Sequence, residues 1–182
     1  MPVRIRVRRA ELSDVPSIAG IHVAAWHHAY RGLVPDEAFE TRTIERRLQQ
    51  WESVLRGASD FVLVGCDEAQ QVRGFASASL KPGGGFESYL ETLYVAPEMW
   101  GRGIGRALLA SISATMRNRG ATNMALRTLR LGKARTFYER LGARLVPEGI
   151  SHDHGPFDAV VLAFDSLAAL TERINETIGP AE

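Results

Sequence analysis

Apolar and polar residues alternate at the start of the chain, Val3, Ile5 and Val7 against Arg4, Arg6 and Arg8, which is the period of a strand with one wet face. Ser13 then precedes Asp14, Val15 and Pro16, an N-cap followed by proline in the first turn, where its missing N–H costs little. The spacing of Val15, Ile18, His22, Ala25, Trp26 and Ala29 predicts a helix over 14–30, with Trp26 and Tyr30 on neighbouring turns. Arg31 to Pro35 breaks it. From 36 to 56, Phe39, Ile44, Leu48, Trp51 and Leu55 recur among many charges, the pattern of one or two amphipathic helices.

The period then changes from helical to extended. Phe61 to Val64, Val72 to Leu80 and Tyr89 to Val95 read as strands, separated by the turn from Asp67 to Gln71 and a glycine-rich loop from Pro82 to Gly85. Ile104, Leu108, Ile112 and Met116, at steps of four, predict a helix over 103–119 that Gly120 closes. Met124 to Thr128 is a strand, and Ala134, Phe137, Tyr138 and Leu141 form the inward stripe of a helix ended by Gly142. Strands at Arg144 to Val146 and Asp158 to Phe164, then a helix over 166–178, complete the chain.

Composition narrows what this order of elements can mean. With 182 residues, 45% hydrophobic and 24% charged, and no internal repeat or linker, the chain reads as one globular domain over 1–182; disorder, collagen and coiled coil are excluded. The formal net charge of +1 provides no global field for nucleic acid or an anionic membrane, so any anionic ligand must be held locally. A lone Cys66, no leader-like apolar run at the start and no apolar stretch of membrane-spanning length point to a cytoplasmic protein. A homodimer is compatible with all of this.

The local anion site is legible at 93–108. A strand ending at Leu93, Tyr94 and Val95 runs into Trp100, Gly101, Arg102, Gly103, Ile104, Gly105 and Arg106, and the loop opens directly into a helix. Glycines permit close backbone approach, and the first N–H groups of a helix have no internal partner, so the element is suited to phosphate. The dinucleotide fingerprint fails, because counting six from Gly101 or Gly103 reaches Arg106 or Leu108. A P-loop fails too, since Arg127 stands where the first glycine before Gly132 and Lys133 should be.

These residues resemble the GNAT superfamily of acetyl-CoA-dependent N-acetyltransferases. Its signature is a strand, then Gln or Arg, two free positions, Gly, one free position, Gly or Ala, then a helix; Trp100 to Gly105 occupies it, with Trp100 in place of the Gln or Arg. A second block of the family is matched by the strand Leu126 to Thr128 followed by Ala134, Phe137, Tyr138, Glu139, Arg140, Leu141 and Gly142, with Leu131 where Asn is common. The run Trp26, Tyr30, Gly32 and Pro35 is similar to a form frequent in bacterial members. The resemblance implies a single α/β domain with a mixed, mostly antiparallel sheet flanked by helices.

It also implies a chemistry. Acetyl-CoA is the implied cosubstrate, its pyrophosphate on Gly101 to Arg106 and its pantetheine arm along Leu93, Tyr94 and Val95, with the Val95 N–H polarising the thioester carbonyl. Tyr138 matches a tyrosine that many members place near the cofactor sulfur, the acid for the leaving thiolate, although the stripe alone also fits a core aromatic. Glu91, with Glu87 as the lesser choice, is the candidate base for a primary-amine acceptor; Trp26 and Tyr30 are candidate walls of the acceptor site. No metal is expected: His152 and His154 flank Asp153 in a loop with no third ligand. Cys66, at a strand end without a histidine partner, reads as a small buried residue. The rival reading is an acyl-CoA-binding module without turnover.

Overall fold

The structure is a computed structural model that describes residues 4–57, 60–81, 85–147 and 157–178. In chain order the elements are β1 (Arg6–Arg9), α1 (Val15–Tyr30), α2 (Glu37–Glu40), α3 (Ile44–Arg56), β2 (Asp60–Cys66), β3 (Val72–Leu80), β4 (Ser88–Val95), α4 (Ile104–Asn118), β5 (Met124–Leu129), α5 (Lys133–Arg140), β6 (Arg144–Leu145), β7 (Ala159–Phe164) and α6 (Leu167–Ile178). Among the described residues one seven-stranded sheet, ordered β1-β2-β3-β4-β5-β7-β6, carries the helices. Every pairing is antiparallel except β4 with β5, so the expected mixed, mostly antiparallel α/β sheet is what the chain builds.

The two faces are covered by different helices. On one, the stripe Ile104, Leu108, Ile112 and Met116 of α4 is fully buried with Leu167, Leu170 and Ile174 of α6 against Ala76, Ala78, Leu90 and Leu126. The alanines and Gly74 are small for a reason. A Cβ at Gly74 would approach Ile104 and Leu108 side chains to 3.1 Å, so glycine there lets α4 lie close on β3. On the other face Ile18 of α1 and Trp51 of α3 close over Val62, Val64 and Phe75. The stripe foreseen for α5 holds at Tyr138 and Leu141, while Ala134 is exposed at the first turn, where α5 reaches the edge of a cleft.

A polar knot sits inside the second face. Trp51 Nε1 donates to His22 Nδ1 at 3.0 Å, and His22 stacks on Tyr94 at 4.7 Å. Burial, with Arg47 and Arg42 nearby, pushes the His22 pKa down to about 3. Unfolded, the ring titrates near its ordinary 6.5, so below that pH the unfolded chain gains a proton the folded one refuses. Stability is therefore expected to fall as pH drops from 6.5 toward 3, by at most about 1.4 kcal/mol per pH unit. Asp14 and Asp67, held below their ordinary 3.8 by hydrogen bonds from Arg8 and Arg73, withdraw their contributions only at lower pH. Urea midpoints measured between pH 6.5 and 4.5 should decline in the wild type and much less in His22→Gln; a flat wild-type profile would mean His22 is not held neutral.

Candidate active site

The site originates in an irregularity of β4. Ser77 faces Thr92, but the next residue, Ala78, faces Leu90, so Glu91 is the extra residue of a β-bulge. Before it, Leu90 packs toward α4 and Tyr89 toward the opposite face; after it, Leu93 and Val95 pack toward α4 and Tyr94 packs toward α1. Glu91 and Thr92 consequently share the α1 face, where Glu91 accepts a 2.6 Å hydrogen bond from Ser79 Oγ and Thr92 Oγ1 lies 2.7 Å from Ser77 Oγ. Lys81 Nζ lies 3.4 Å from the Glu91 carboxylate.

The bulge also marks where β4 leaves β5. Parallel pairing is confined to Tyr89 with Ala125 and Leu90 with Leu126, and beyond it the two strands diverge. On the β3 side, Ala96 N–H donates to Arg73 C=O at 2.8 Å. Backbone groups alternate sides along a strand, so those of Tyr94 face β3 and those of Leu93 and Val95 face the opening. The opening continues into a cavity of about 660 Å³. Its walls are β4 from Leu90, the loop and first turn of α4, Leu126 to Thr128 of β5, the start of α5 with Phe137 and Tyr138, and Ala25 to Leu33 around the end of α1.

At one end of the cavity, Gly101 and Gly103 have φ of +77° and +84°, the left-handed region that favours glycine. Gly103 is the N-cap of α4 and no side chain caps it; the first intrahelical bond is Ala107 N–H to Gly103 C=O. The N–H groups of Ile104, Gly105 and Arg106 thus lack helical partners, and the dipole favours an anion there. Arg106 and Lys133 line this end and also a neighbouring cavity of about 460 Å³, where Arg140 joins them.

Phenol groups gather at the other end. Burial raises the phenol pKa of both Tyr30 and Tyr94, whose groups lie close enough to influence each other. Tyr138 is 6% exposed, and burial first, then Tyr30, pushes its phenol up from 10, so it holds its proton at neutral pH. Among the described residues that line the cavity, Glu91 is the one carboxylate, against Arg31, Arg106, Arg127 and Lys133.

Of the residues singled out from sequence, Glu91, Leu93, Tyr94, Val95, Gly101, Gly103, Ile104, Gly105, Arg106, Tyr30 and Tyr138 line this one cavity. Ile104 is 1% exposed, so its side chain belongs to the core and only its backbone is available. Arg102 and Trp26 are not on the wall. Trp26 is buried one turn deeper than Tyr30, with Phe39 at 5.0 Å and the Arg42 guanidinium 4.2 Å above its ring. Glu87 accepts hydrogen bonds from Thr122 N–H and Oγ1, outside the cavity. Buried Cys66, its thiol pushed up by burial, is also off the wall. His152, Asp153 and His154 lie outside the described residues. His28, Thr92, Arg127 and Lys133 line the cavity without having been foreseen. Strand alternation about Leu126 carries the only sequence signal for Arg127.

Comparison with known proteins agrees with this architecture. The model of the acetyltransferase (GNAT) family matches residues 18–143, and the chain belongs to that family. It is 28% identical over 179 residues to the uncharacterised N-acetyltransferase YuaI of Bacillus subtilis (strain 168), covering 94% of this chain and 99% of that one. It is 33% identical over 108 residues to an aminoglycoside N(6′)-acetyltransferase type 1 of Stenotrophomonas maltophilia, covering 56% of this chain and 66% of that one. The fold resembles the PaiA N-acetyltransferase of Thermoplasma acidophilum in complex with coenzyme A, with a TM-score of 0.71, 17% identity and coverage of 88% and 98%. It also resembles Salmonella typhimurium yncA with its cofactor acetyl-CoA, with a TM-score of 0.65, 22% identity and coverage of 90% and 94%. Acetyl-CoA is the cosubstrate of the family. Among the described residues, no helix is long and apolar enough to cross a membrane.

Proposed function

We propose that this chain, acting as one domain, transfers an acetyl group from acetyl-CoA to a primary amine by direct attack within a ternary complex. One observation carries the reading. Parallel pairing stops at Leu90 and Leu126, so the free backbone edge of β4, the uncapped start of α4, Glu91 and Tyr138 all open into one cavity. The residues suit the cosubstrate: Leu93 and Val95 offer the edge of an absent strand to its amide-bearing arm, and the first turn of α4 with Arg106 suits its diphosphate.

Bound acetyl-CoA supplies a thioester-activated acetyl group. The protein's part is then positional and protic. The Val95 N–H faces the opening as a donor for the thioester carbonyl, Tyr138 carries the proton for the departing sulfur, and Glu91, anchored by Ser79, accepts the proton of the amine. A protonated phenol of raised pKa suits this role, because the dry surroundings that hold its proton also raise the basicity of the sulfur. Glu91 and Tyr138 in one cavity favour turnover over a binding-only module.

The test is thiol release from acetyl-CoA against a panel of polyamines, amino acids, aminoglycosides, peptide N-termini and lysine side chains. At least one amine should be acetylated with sequential kinetics, and Cys66→Ala should keep most of the activity. Binding of acetyl-CoA with no turnover across the panel would support the binding-only reading, and an acetylated Cys66 by intact mass would overturn direct transfer.

A further inference from the structure

We propose that Trp100 is a positioning residue whose indole N–H fixes the Val95 peptide and, through it, aims the Val95 N–H into the cleft. The inference rests on the acetyl-transfer reading given above.

Trp100 Nε1 donates to Val95 C=O at 2.8 Å. The peptide unit that joins Val95 to Ala96 is thus held at both ends, by the indole on its carbonyl and by Arg73 C=O accepting from its N–H, also at 2.8 Å. This is the last unit of β4. Because β5 has already diverged, a strand end would otherwise be anchored from the β3 side alone. An unanchored end frays, and fraying here would swing the Val95 N–H.

The indole is itself fixed. Its backbone N–H donates to Pro97 C=O at 3.3 Å, and its ring meets the His28 ring edge-on, at 4.7 Å and 87°. The residue is 37% exposed on the cavity wall, so a large apolar ring stands where core packing does not require it. The hydrogen bond also sorts the groups offered to the cleft. Leu93 keeps both its N–H and its C=O on the open side, whereas at Val95 the carbonyl is taken and only a donor remains. A site that must polarise a carbonyl oxygen needs a fixed donor and no competing acceptor beside it. Gln and Arg, the residues usual at this position in the family, share with Trp a side-chain N–H; Trp100 adds a ring and keeps a donor.

The experiment compares Trp100→Phe, which keeps a ring and loses the donor, with Trp100→Gln, which restores a donor without the ring. The first readout needs no substrate: amide exchange by NMR at Ala96 and Val95. Loss of one net hydrogen bond should speed exchange at Ala96 about tenfold in Trp100→Phe, and Trp100→Gln should return it most of the way. The second readout is steady-state kinetics with acetyl-CoA and the best amine of the panel. Trp100→Phe should lower kcat about tenfold with the KM for acetyl-CoA within about twofold, again with rescue by Gln. Unchanged Ala96 exchange in Trp100→Phe, or equal impairment of both variants, would overturn the proposal and leave Trp100 as bulk against His28. Failure of the wild type to acetylate any amine would instead overturn the functional reading, while the exchange data still report on the Val95 peptide.

Discussion

Gly105→Asp is expected to lower acetyl-CoA affinity by well over tenfold while the chain stays folded. A Cβ at this position would meet Phe137 Cζ at 3.6 Å and Leu93 Cδ2 at 3.8 Å, ordinary contacts, and the backbone there is not left-handed. The side chain is therefore accommodated, in contrast to Gly101 and Gly103, where any side chain would strain the loop. A carboxylate in the first turn of α4 even favours the helix, by about 0.3–1 kcal/mol. What it opposes is the ligand. Leu93 and Phe137 both line the cavity, so the carboxylate is added beside the N–H groups proposed to hold the diphosphate. At an effective dielectric of about 20, two unit charges 4 Å apart repel by roughly 4 kcal/mol, against 1.4 kcal/mol for each tenfold in affinity. Calorimetry should show the loss, Gly105→Ala should show a smaller one, and the melting temperature should hold. Unchanged affinity in Gly105→Asp would place the cofactor elsewhere.

The loop was legible in the sequence because its physics is local: glycines, a strand before and an apolar stripe after suffice to predict a helix start aimed at an anion. The same holds for the elements, which follow one another in the folded chain, from β1 to α6, in the order that the periods predict. What was not legible depends on pieces far apart in the chain. The bulge at Glu91 adds one residue to β4 without leaving any mark in composition, yet it decides that Tyr94 turns to α1 and that Leu93 and Val95 turn to α4. Trp26 and Tyr30, four apart, are equivalent to any helical period. Only the packing of Phe39 and Arg42 over Trp26 separates them, leaving Tyr30 on the wall. Trp100 reads in sequence as a departure from a motif; its hydrogen bond to Val95 appears only when the chain has turned back through Pro97–Met99.

Tyr138→Phe should separate a proton donor from a core aromatic. The residue sits in the main core and also on the cavity wall, so burial alone fits either role. Phe keeps the ring and its packing, including the edge contact with Phe137 at 5.1 Å, and deletes the hydroxyl alone. If that hydroxyl protonates the departing sulfur, kcat should fall by about 10²–10⁴-fold with little change in the KM for acetyl-CoA. A core role predicts a silent rate and a small shift in melting temperature. Glu91→Gln should behave differently, since it leaves the hydrogen bond from Ser79 an acceptor and removes the base. Its deficit should be greatest at low pH, where the amine is most protonated, and should shrink as pH rises. Wild-type kcat in Tyr138→Phe would remove Tyr138 from the chemistry. A pH-independent loss in Glu91→Gln would confine Glu91 to holding the bulge through Ser79 and Lys81.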